Sequence, residues 1–316
     1  MLQLSAQEIE ILFSPIEVIE IVRQGIINDA KGVYSVPQRS HYERGNSINL
    51  IMPAYGPKYY CTKLISVDPH NPEAGLPSIS GLLVLHNNEN GNCLALMDAP
   101  KVTALRTAAI GGIGVEVVSG DDVRKLGIIG LGVQGYWQTI YALSVRDFDE
   151  VYCYSRSTEK YDGYKKKILE KFPDLTINWC SSAEKVVEHS EVIISCTTSK
   201  EPVFNAGTLY LYEKRFISIG SFTKEMQEFP SEVYKAADVL LLDTSTALLE
   251  VGDVINTIEN NWIDRSNVFT LGDLFTMKKS ISDTDKIAFK SVGMAAFDLA
   301  LASAIYERIR KENNQE

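Results

Sequence analysis

A glycine pattern at residues 130–135, GLGVQG, has the spacing of a loop that binds phosphate groups. It follows a short apolar run, residues 126–129, that is typical of a buried parallel strand. In such a loop Gly130 permits the tight turn, Gly132 lets the backbone approach a pyrophosphate, and Gly135 allows a helix to pack closely against the strand. The spacing therefore predicts a strand, a phosphate-binding turn and a helix in succession.

The context of the loop makes this signal specific, because glycine-rich turns alone are common. A helical segment follows at once, and Val133 and Gln134 lie in its first turn, where free backbone N–H groups and the helix dipole favour anions. A second strand is predicted at Glu150–Tyr154. The order of strand, loop, helix and strand predicts a dinucleotide-binding domain.

The residues after this second strand indicate which dinucleotide is bound. In this fold an acidic residue at the end of the second strand holds the ribose 2′-hydroxyl of NAD. The chain has Ser155, Arg156 and Ser157 at that place, and a guanidinium flanked by hydroxyls suits a 2′-phosphate. We therefore expect NADPH as the cofactor, with NADH as the alternative.

Strands and helices alternate in the rest of this half of the chain, which predicts a doubly wound parallel sheet. A helix is expected at Ala183–His189. Thr197 and Thr198 follow a strand end, where ligands bind in such sheets, and are further candidates for cofactor binding. The candidate strands are Val151–Tyr154, Thr176–Trp179, Val192–Thr197, Phe216–Ile219 and Val239–Asp243.

The preceding part of the chain has a different pattern. A helix is expected to begin at Ser14, with Pro15 in its first turn and Glu17 completing a capping box. Turns rich in Gly, Pro and Asn then separate short β-like runs, which predicts an antiparallel sheet, and Asn90-Gly91 is a hairpin signal. The runs are Ser47–Met52, Tyr59–Val67, Gly81–Leu85 and Cys93–Met97.

Length and pattern together predict two domains, since 316 residues exceed what one hydrophobic core usually serves. A helix is predicted over Pro100–Val118, and another over Lys290–Lys311 that is apolar on nearly all faces and therefore buried on several sides. We predict an α+β substrate-binding and dimerisation domain, formed by residues 1–121 and completed by the C-terminal helix in residues 291–316. A Rossmann-type α/β domain with a doubly wound parallel sheet is predicted over residues 122–290.

Composition excludes several classes of protein. The net charge of −10 argues against a general binder of nucleic acids or anionic membranes. The five cysteines are scattered and without a CxxC pair, which indicates reduced thiols, and the four histidines lack metal-ligand spacing, so that no metal site is expected. Because no apolar run approaches the ~20 residues that a membrane span needs, we expect a cytoplasmic protein.

Three further segments carry a resemblance to a known family: residues 63–77 (KLISVDPHNPEAGLP), 95–109 (ALMDAPKVTALRTAA) and 291–302 (SVGMAAFDLALA). Together with GLGVQG and residues 219–229 (IGSFTKEMQEF), they make the chain resemble the ornithine cyclodeaminase/mu-crystallin family over nearly its whole length. The resemblance implies a homodimer in which each chain has a substrate domain, a Rossmann domain and a C-terminal helix that returns to the first domain.

The same resemblance implies that cations of the first domain bind the α-carboxylate of a small amino or imino acid. The matching positions are Arg39, Lys63 and Arg106. An arginine can bind a carboxylate bidentately, and a partly desolvated lysine can polarise the carbon that accepts a hydride. By resemblance, Thr107 faces the cofactor phosphates, and Gly293 and Asp298, in the C-terminal helix, approach the nicotinamide. A buried aspartate in an apolar helix needs a partner, so Asp298 is either functional or structurally paired.

One position departs from the pattern of the family. Its cyclodeaminases carry an aspartate in the loop after the strand at residues 216–219, and Phe222 stands at the matching place, beside Ser221. A phenyl ring can neither accept a proton nor pair with an ammonium group. The departure therefore favours the reductases of the family, which reduce the cyclic imino acids Δ1-pyrroline-2-carboxylate or Δ1-piperideine-2-carboxylate to L-proline or L-pipecolate.

Other functions stay open at this point. One is an ornithine cyclodeaminase-like activity, in which Ser221 replaces the aspartate as a weak hydrogen-bonding group. Another is a dehydrogenase of an open-chain amino acid such as alanine, arginine or an opine. A third is a crystallin-like protein that binds NADPH with little turnover. The three cations of the first domain make pure binding the least favoured of these readings.

Overall fold

The structure, a computed structural model, describes residues 1–45, 47–68, 70–207, 209–282 and 284–313. The chain divides into two units, one formed by Met1–Arg106 with Met294–Glu316 and the other by Thr107–Gly293. The first and last segments of the chain thus belong to one unit, and the division falls within a helix. The assignment of residues 1–121 with 291–316, and of 122–290, to a substrate and a cofactor domain stays a prediction.

The first unit is built on a six-stranded sheet with strand order β1-β6-β5-β4-β3-β2. Neighbouring strands are antiparallel, except that β1 and β6 are parallel. A 3₁₀ turn, Asn71–Ala74, lies between β4 and β5. In chain order the elements are β1 (Leu2–Leu4), α1 (Ala6–Glu10), α2 (Pro15–Ala30), β2 (Ser40–Arg44), β3 (Ser47–Tyr55), β4 (Tyr59–Val67), β5 (Ile79–Asn87), β6 (Cys93–Asp98) and α3 (Ala99–Val118), which continues into the second unit.

Most predicted elements of this unit are present. Ser14 caps α2 and forms the capping box with Glu17, and Gly91, with a φ of 73°, lies in the turn that joins β5 to β6. The prediction missed β1 and β2, and it was wrong in making the sheet purely antiparallel, because β1 is parallel to its neighbour. Three residues are too few to show a period of two, and all residues of β2 are exposed, so neither strand has the alternation that sequence analysis detects.

The second unit is an eight-stranded parallel sheet with strand order β13-β12-β14-β11-β10-β7-β8-β9, which confirms the predicted doubly wound fold. The order reverses between β7 and β10, so the carboxyl ends of these strands flank the crevice where ligands bind in such folds. A 3₁₀ turn, Arg265–Asn267, precedes β13. The elements are β7 (Lys125–Ile129), α4 (Val133–Val145), β8 (Glu150–Tyr154), α5 (Lys160–Leu169), β9 (Thr176–Trp179), α6 (Ala183–His189), β10 (Val192–Ser195), β11 (Arg215–Ser218), α7 (Ser231–Ala236), β12 (Val239–Leu242), α8 (Ala247–Glu250), α9 (Gly252–Glu259), β13 (Val268–Thr270), α10 (Leu271–Phe275) and β14 (Ile287–Lys290).

The last helix, α11 (Ala295–Asn313), belongs to the first unit and packs against α2, β3 and β4. The helices approach closely, since a Cβ on Gly25 would lie 2.8 Å from the Cβ of Ala300. The predicted start of this helix at Lys290 was wrong. Lys290 ends the central strand β14, and Gly293, with a φ of 72°, lies in the link before α11. The prediction merged strand and helix because the apolar residues of β14 are followed closely by the apolar pattern of α11.

Candidate active site

A lysine lies in the buried row of β4, where the alternation of the strand predicts an apolar residue. Lys63 has no exposed surface, although it stands in the middle of a hydrophobic layer. A buried ammonium group is costly unless it is paired. The residues that share this buried row are Tyr59, Cys61, Lys63 and Ile65.

Asp298, in the first turn of α11, supplies the opposite charge. Its Oδ2 accepts a hydrogen bond from Lys63 Nζ at 2.6 Å, and its Oδ1 accepts one from Arg106 Nε at 3.2 Å. Asp298 is fully buried and Arg106 is 6% exposed. We call Lys63, Arg106 and Asp298 the ion cluster; with all three ionised it holds two positive charges and one negative charge.

Most hydrogen-bond donors of the ion cluster have no partner in the part of the chain that the structure describes. A guanidinium has five N–H donors and an ammonium three, yet Arg106 and Lys63 each make one hydrogen bond, both to Asp298. The terminal fork of Arg106 is left for a planar anion. Thr103, one turn earlier on α3, has a buried hydroxyl oxygen that also lacks a partner among the described residues. The cluster therefore has the charge and the donors to bind a small carboxylate.

The environment weakens the hold of Lys63 on its proton. Burial is the main reason that the pKa of Lys63 falls from 10.5 to about 8; the charges of Arg106 and Arg39 act in the same direction, and Asp298 acts against it. Arg39 lies half-buried in the segment before β2. The three cations named in the sequence analysis are thus close enough for their charges to act together. Burial also raises the pKa of the Cys61 thiol, so this neighbour stays neutral.

The glycine loop after β7 has the shape that a diphosphate requires. Gly130 has a φ of 95°, and a Cβ on Gly135 would lie 2.0 Å from the carbonyl oxygen of Gly130, so both positions need glycine. A Cβ on Gly132 would meet no atom within 4 Å, so the loop leaves open space beside this residue. Gly132 is the N-cap of α4 and provides no side-chain cap, and the buried Oε1 of Gln134 has no partner in the described chain. These features fit a dinucleotide.

A pocket of about 380 Å³ opens beside this loop, at the carboxyl ends of β7, β8 and β10. The charged side chains among its described lining residues are both cations, Arg156 and Lys160. Sequence analysis named Arg156 and missed Lys160, which begins α5. The polar residues and glycines of the lining are Gly130, Gly132, Ser155, Arg156, Ser157, Lys160, Thr197, Thr198 and Ser199.

The chain is similar to proteins of a known family over nearly its whole length. A family model described as the ornithine cyclodeaminase/mu-crystallin family matches residues 1–313. The chain belongs to this family. The relatives of the chain are reductases and dehydrogenases, and similar structures hold NADH or NAD, which confirms the predicted NAD(P)-dependent oxidoreductase and its nicotinamide cofactor.

Individual members of the family are similar to the chain over nearly its whole length. A Δ1-pyrroline-2-carboxylate reductase of Bacillus cereus is 30% identical over 317 residues, which cover 98% of this chain and 96% of that protein. The structure of Thermococcus litoralis Δ1-pyrroline-2-carboxylate reductase in complex with NADH and L-proline has a TM-score of 0.92 and 29% identity, and covers 99% of this chain and 98% of that one. An archaeal alanine dehydrogenase dimer with bound NAD has a TM-score of 0.89 and 26% identity, and the match covers 99% of this chain and 97% of that one.

Some predicted cofactor residues do not line the pocket. Val133 and Gln134 lie in the first turn of α4, and Gly135 packs beneath the loop. The carbonyl oxygen of Thr107, on α3, accepts a hydrogen bond from Gln138 Nε2 at 2.9 Å. The N–H of Gly293 donates to Asp243 Oδ2 at 2.7 Å. For these residues a direct role in cofactor binding stays a prediction.

Sequence analysis missed a group of buried charges in the second unit. Glu228, Asp253 and Lys290 have no exposed surface. Lys290 Nζ donates to Ser221 Oγ at 2.7 Å and to Ser221 O at 2.8 Å, while Ser221 Oγ donates to Asp253. The hydroxyl of Ser221 is therefore already hydrogen-bonded to Asp253 and Lys290. The neighbouring Phe222 is half-buried. The one sequence signal for this group is a lysine that ends a short apolar run.

Two features of the described chain bear on other classes of function. No helix of the described chain has the length and apolar character needed to cross a membrane. Among the same residues, no three His, Cys, Asp or Glu side chains are grouped so as to hold a metal ion. All five cysteines are free thiols.

Proposed function

We propose that the protein reduces a cyclic imino acid, Δ1-pyrroline-2-carboxylate or Δ1-piperideine-2-carboxylate, to L-proline or L-pipecolate, with NADPH as the hydride donor. The observation that carries this proposal is the ion cluster, whose buried Arg106 and Lys63 have donors and charge left over for a carboxylate. The names of the similar Bacillus cereus and Thermococcus litoralis proteins support it.

Each residue of the cluster has a distinct role in this proposal. The fork of Arg106 binds the substrate carboxylate through two parallel N–H···O bonds, and Lys63 adds a second charged donor. Asp298 holds both cations in place, and Arg39 adds positive charge to the same region. The cofactor supplies a hydride to the imine carbon. Because the ring nitrogen is protonated in the iminium form, hydride addition gives the neutral amine directly and no side chain has to deliver a proton at this step.

The loop after β11 supports reduction over cyclodeamination. Phe222 presents a phenyl ring where cyclodeaminases of the family carry an aspartate, and the neighbouring hydroxyl of Ser221 is bonded to Asp253 and Lys290. Neither group is available to accept a proton from a substrate amine. A substrate whose nitrogen is already an imine does not need such a base.

The lining of the nucleotide pocket supports NADPH. Arg156 and Lys160 are cations, and in the described chain neither side chain has a hydrogen-bond or ion-pair partner. Ser155 and Ser157 add hydroxyl donors beside them. A 2′-phosphate would place its charge against this group, whereas a 2′-hydroxyl would use little of it.

An open-chain amino-acid dehydrogenase is the second candidate, because the archaeal alanine dehydrogenase is 26% identical with a TM-score of 0.89. Steady-state assays with NADPH and NADH separate the candidates. We expect a kcat/KM for Δ1-pyrroline-2-carboxylate or Δ1-piperideine-2-carboxylate at least 100-fold above that for pyruvate with ammonia. The reverse ranking would favour the dehydrogenase, and ammonia release from ornithine without net NADPH consumption would favour a cyclodeaminase.

We also propose that the protein is a homodimer that uses the outer face of the six-stranded sheet. Ile51, Leu64 and Leu82 are paired directly across β3, β4 and β5 and are 37%, 44% and 50% exposed. A continuous apolar row on a sheet face is typical of an interaction surface. The dimeric state of the similar alanine dehydrogenase structure supports a second copy of this chain as the partner.

A further inference from the structure

One buried carboxylate joins two loops at the nucleotide pocket. Glu228, in the segment between β11 and α7, has no exposed surface. Its Oε1 accepts hydrogen bonds from Ser195 Oγ at 2.6 Å, from Thr197 N at 2.7 Å and from Thr197 Oγ1 at 3.1 Å. One oxygen thus fixes both the backbone and the hydroxyl of a residue that lines the pocket.

The other oxygen of this carboxylate holds the neighbouring strand end. Oε2 of Glu228 accepts hydrogen bonds from Ser218 Oγ at 2.7 Å, from Gly220 N at 2.7 Å and from Ser221 N at 3.2 Å. The two loops are in close contact, since a Cβ on Gly220 would lie 2.2 Å from Thr197 N. With six donors converging on it, the carboxylate ties the end of β10 to the end of β11.

Two further buried charges keep this carboxylate in position. Lys290 Nζ lies 3.9 Å from Glu228 Oε2 and donates to Ser218 Oγ at 2.9 Å. Asp253 Oδ1 accepts a hydrogen bond from Glu228 N at 3.1 Å, so the backbone of the glutamate is anchored as well. Such an arrangement of buried charges is costly unless each charge is paired and hydrogen-bonded.

We propose that Glu228 is a positioning residue for the nicotinamide dinucleotide. It fixes Thr197 on one side of the pocket opposite the glycine loop, where a Cβ on Gly130 would already lie 2.9 Å from the carbonyl oxygen of Cys196. Thr197 is then held in place before the dinucleotide binds, so that binding carries no free-energy cost for ordering this side of the pocket. The inference rests on the nicotinamide cofactor of the proposed function and adds a residue that contacts Thr197 rather than the ligand.

Calorimetric titration of the purified protein with NADPH and with NADH tests this role. Glu228→Gln replaces one oxygen by an NH₂ group that faces three donors, so we expect Kd to rise at least tenfold for both dinucleotides. The KM for the cofactor rises by a similar factor, and kcat at saturating cofactor stays within threefold. The control is Glu184→Gln, which alters a carboxylate of the same unit that accepts a hydrogen bond from Asn205 N. This variant leaves Kd within twofold of the wild type.

A purely structural role gives a different pattern. In that case Glu228→Gln lowers the melting temperature and leaves Kd unchanged, which overturns the proposal. If Glu228→Gln does not fold, Ser195→Ala and Ser218→Ala each remove one donor, and a rise in Kd of at least threefold is expected; unchanged Kd values in both overturn the proposal. A wild-type protein that binds neither dinucleotide overturns the proposed function too, whereas normal wild-type binding with an unchanged Glu228→Gln overturns the role of Glu228 alone.

Discussion

Asp298 accepts hydrogen bonds from two cations through its two separate oxygens, which holds Lys63 and Arg106 side by side without neutralising both. Two buried cations would otherwise repel each other in a region of low dielectric constant. The negative charge of Asp298 offsets the repulsion between the two cations and leaves one positive charge for a ligand. A substrate carboxylate would complete the charge balance of the ion cluster.

Arg106→Lys tests the fork at the centre of this arrangement. Lysine keeps the charge but loses the planar pair of donors, so we expect kcat/KM for the cyclic imino acid to fall roughly 100-fold, mostly through KM, since two charge-assisted hydrogen bonds contribute about 3 kcal/mol. Steady-state kinetics measure the effect. The control is Lys101→Gln, a lysine on the same helix that is paired with Glu10. Equal kinetics in the wild type and Arg106→Lys would contradict the role.

The pH profile tests the charge of Lys63. Lysine is charged below its pKa, so kcat/KM should decline as pH rises through about 8, the pKa of Lys63. Asp298→Asn removes the charge that favours protonated Lys63, while Arg106 and Arg39 still oppose it and the Cys61 thiol stays neutral. The declining limb should therefore move to lower pH in Asp298→Asn. The imine titrates identically in both assays, so a limb at the same pH in both proteins would refute the assignment.

In the proposed function the choice of dinucleotide depends on two side chains of the pocket, Arg156, which sequence analysis named, and Lys160, which it missed. Arg156→Ala and Lys160→Ala should each raise the KM for NADPH at least fivefold and leave the KM for NADH within twofold, because only the 2′-phosphate carries the charge they bind. Parallel titrations with both cofactors give the ratio. Equal increases for NADPH and NADH would show that neither residue recognises the 2′-phosphate.

At the scale of elements, the turn between β7 and α4 has one glycine that close packing requires, Gly135, and one beside open space for a ligand, Gly132. Gly135→Ala puts a Cβ 2.0 Å from the carbonyl oxygen of Gly130, so we expect unfolding free energy to fall by about 3 kcal/mol. Gly132→Ala meets no atom within 4 Å, so stability should change by less than ~0.5 kcal/mol while dinucleotide Kd rises at least tenfold. Denaturant unfolding and calorimetric titration measure the two quantities. Unchanged affinity in Gly132→Ala would contradict a diphosphate at this turn.

The elements that sequence analysis predicted well are those with a complete local signal. β8 and β9 have their predicted bounds, and α4 follows the glycine loop directly, because apolar runs and turn residues are local in the chain. β14 was missed since its four residues merge with the apolar pattern of α11 and end in Lys290. Strand order in a sheet is not a local property, so no pattern showed that this strand lies between β11 and β12.

In the candidate site, too, sequence analysis found the residues that belong to motifs and missed what depends on the fold. Lys63, Arg106 and Asp298 were each named from the sequence, but the pairing of Asp298 with the two cations was not, because Asp298 lies more than 190 residues along the chain from Arg106. Glu228 was missed because a single glutamate in a loop has no pattern of its own. Such charges are identified only when the fold shows them buried and surrounded by donors.

At the scale of the molecule, the outer sheet face predicts the oligomeric state. We expect a dimer in sedimentation velocity at micromolar concentration, and a monomer for Leu64→Lys, because the substitution puts a charge in the centre of the apolar row. Leu249→Lys is the matched control, since Leu249 is an exposed leucine of α8 in the second unit. A monomeric wild type, or a Leu64→Lys protein that dimerises normally, would exclude this face as the dimer contact.

The most direct test of the account is the product formed from Δ1-pyrroline-2-carboxylate and NADPH, analysed by chiral chromatography beside the oxidation of the cofactor at 340 nm. We predict L-proline, one molecule for each NADPH oxidised, with Δ1-piperideine-2-carboxylate giving L-pipecolate in the same way, and a rate that falls sharply in Arg106→Lys. No NADPH or NADH oxidation above background with either imine would contradict the proposed reaction.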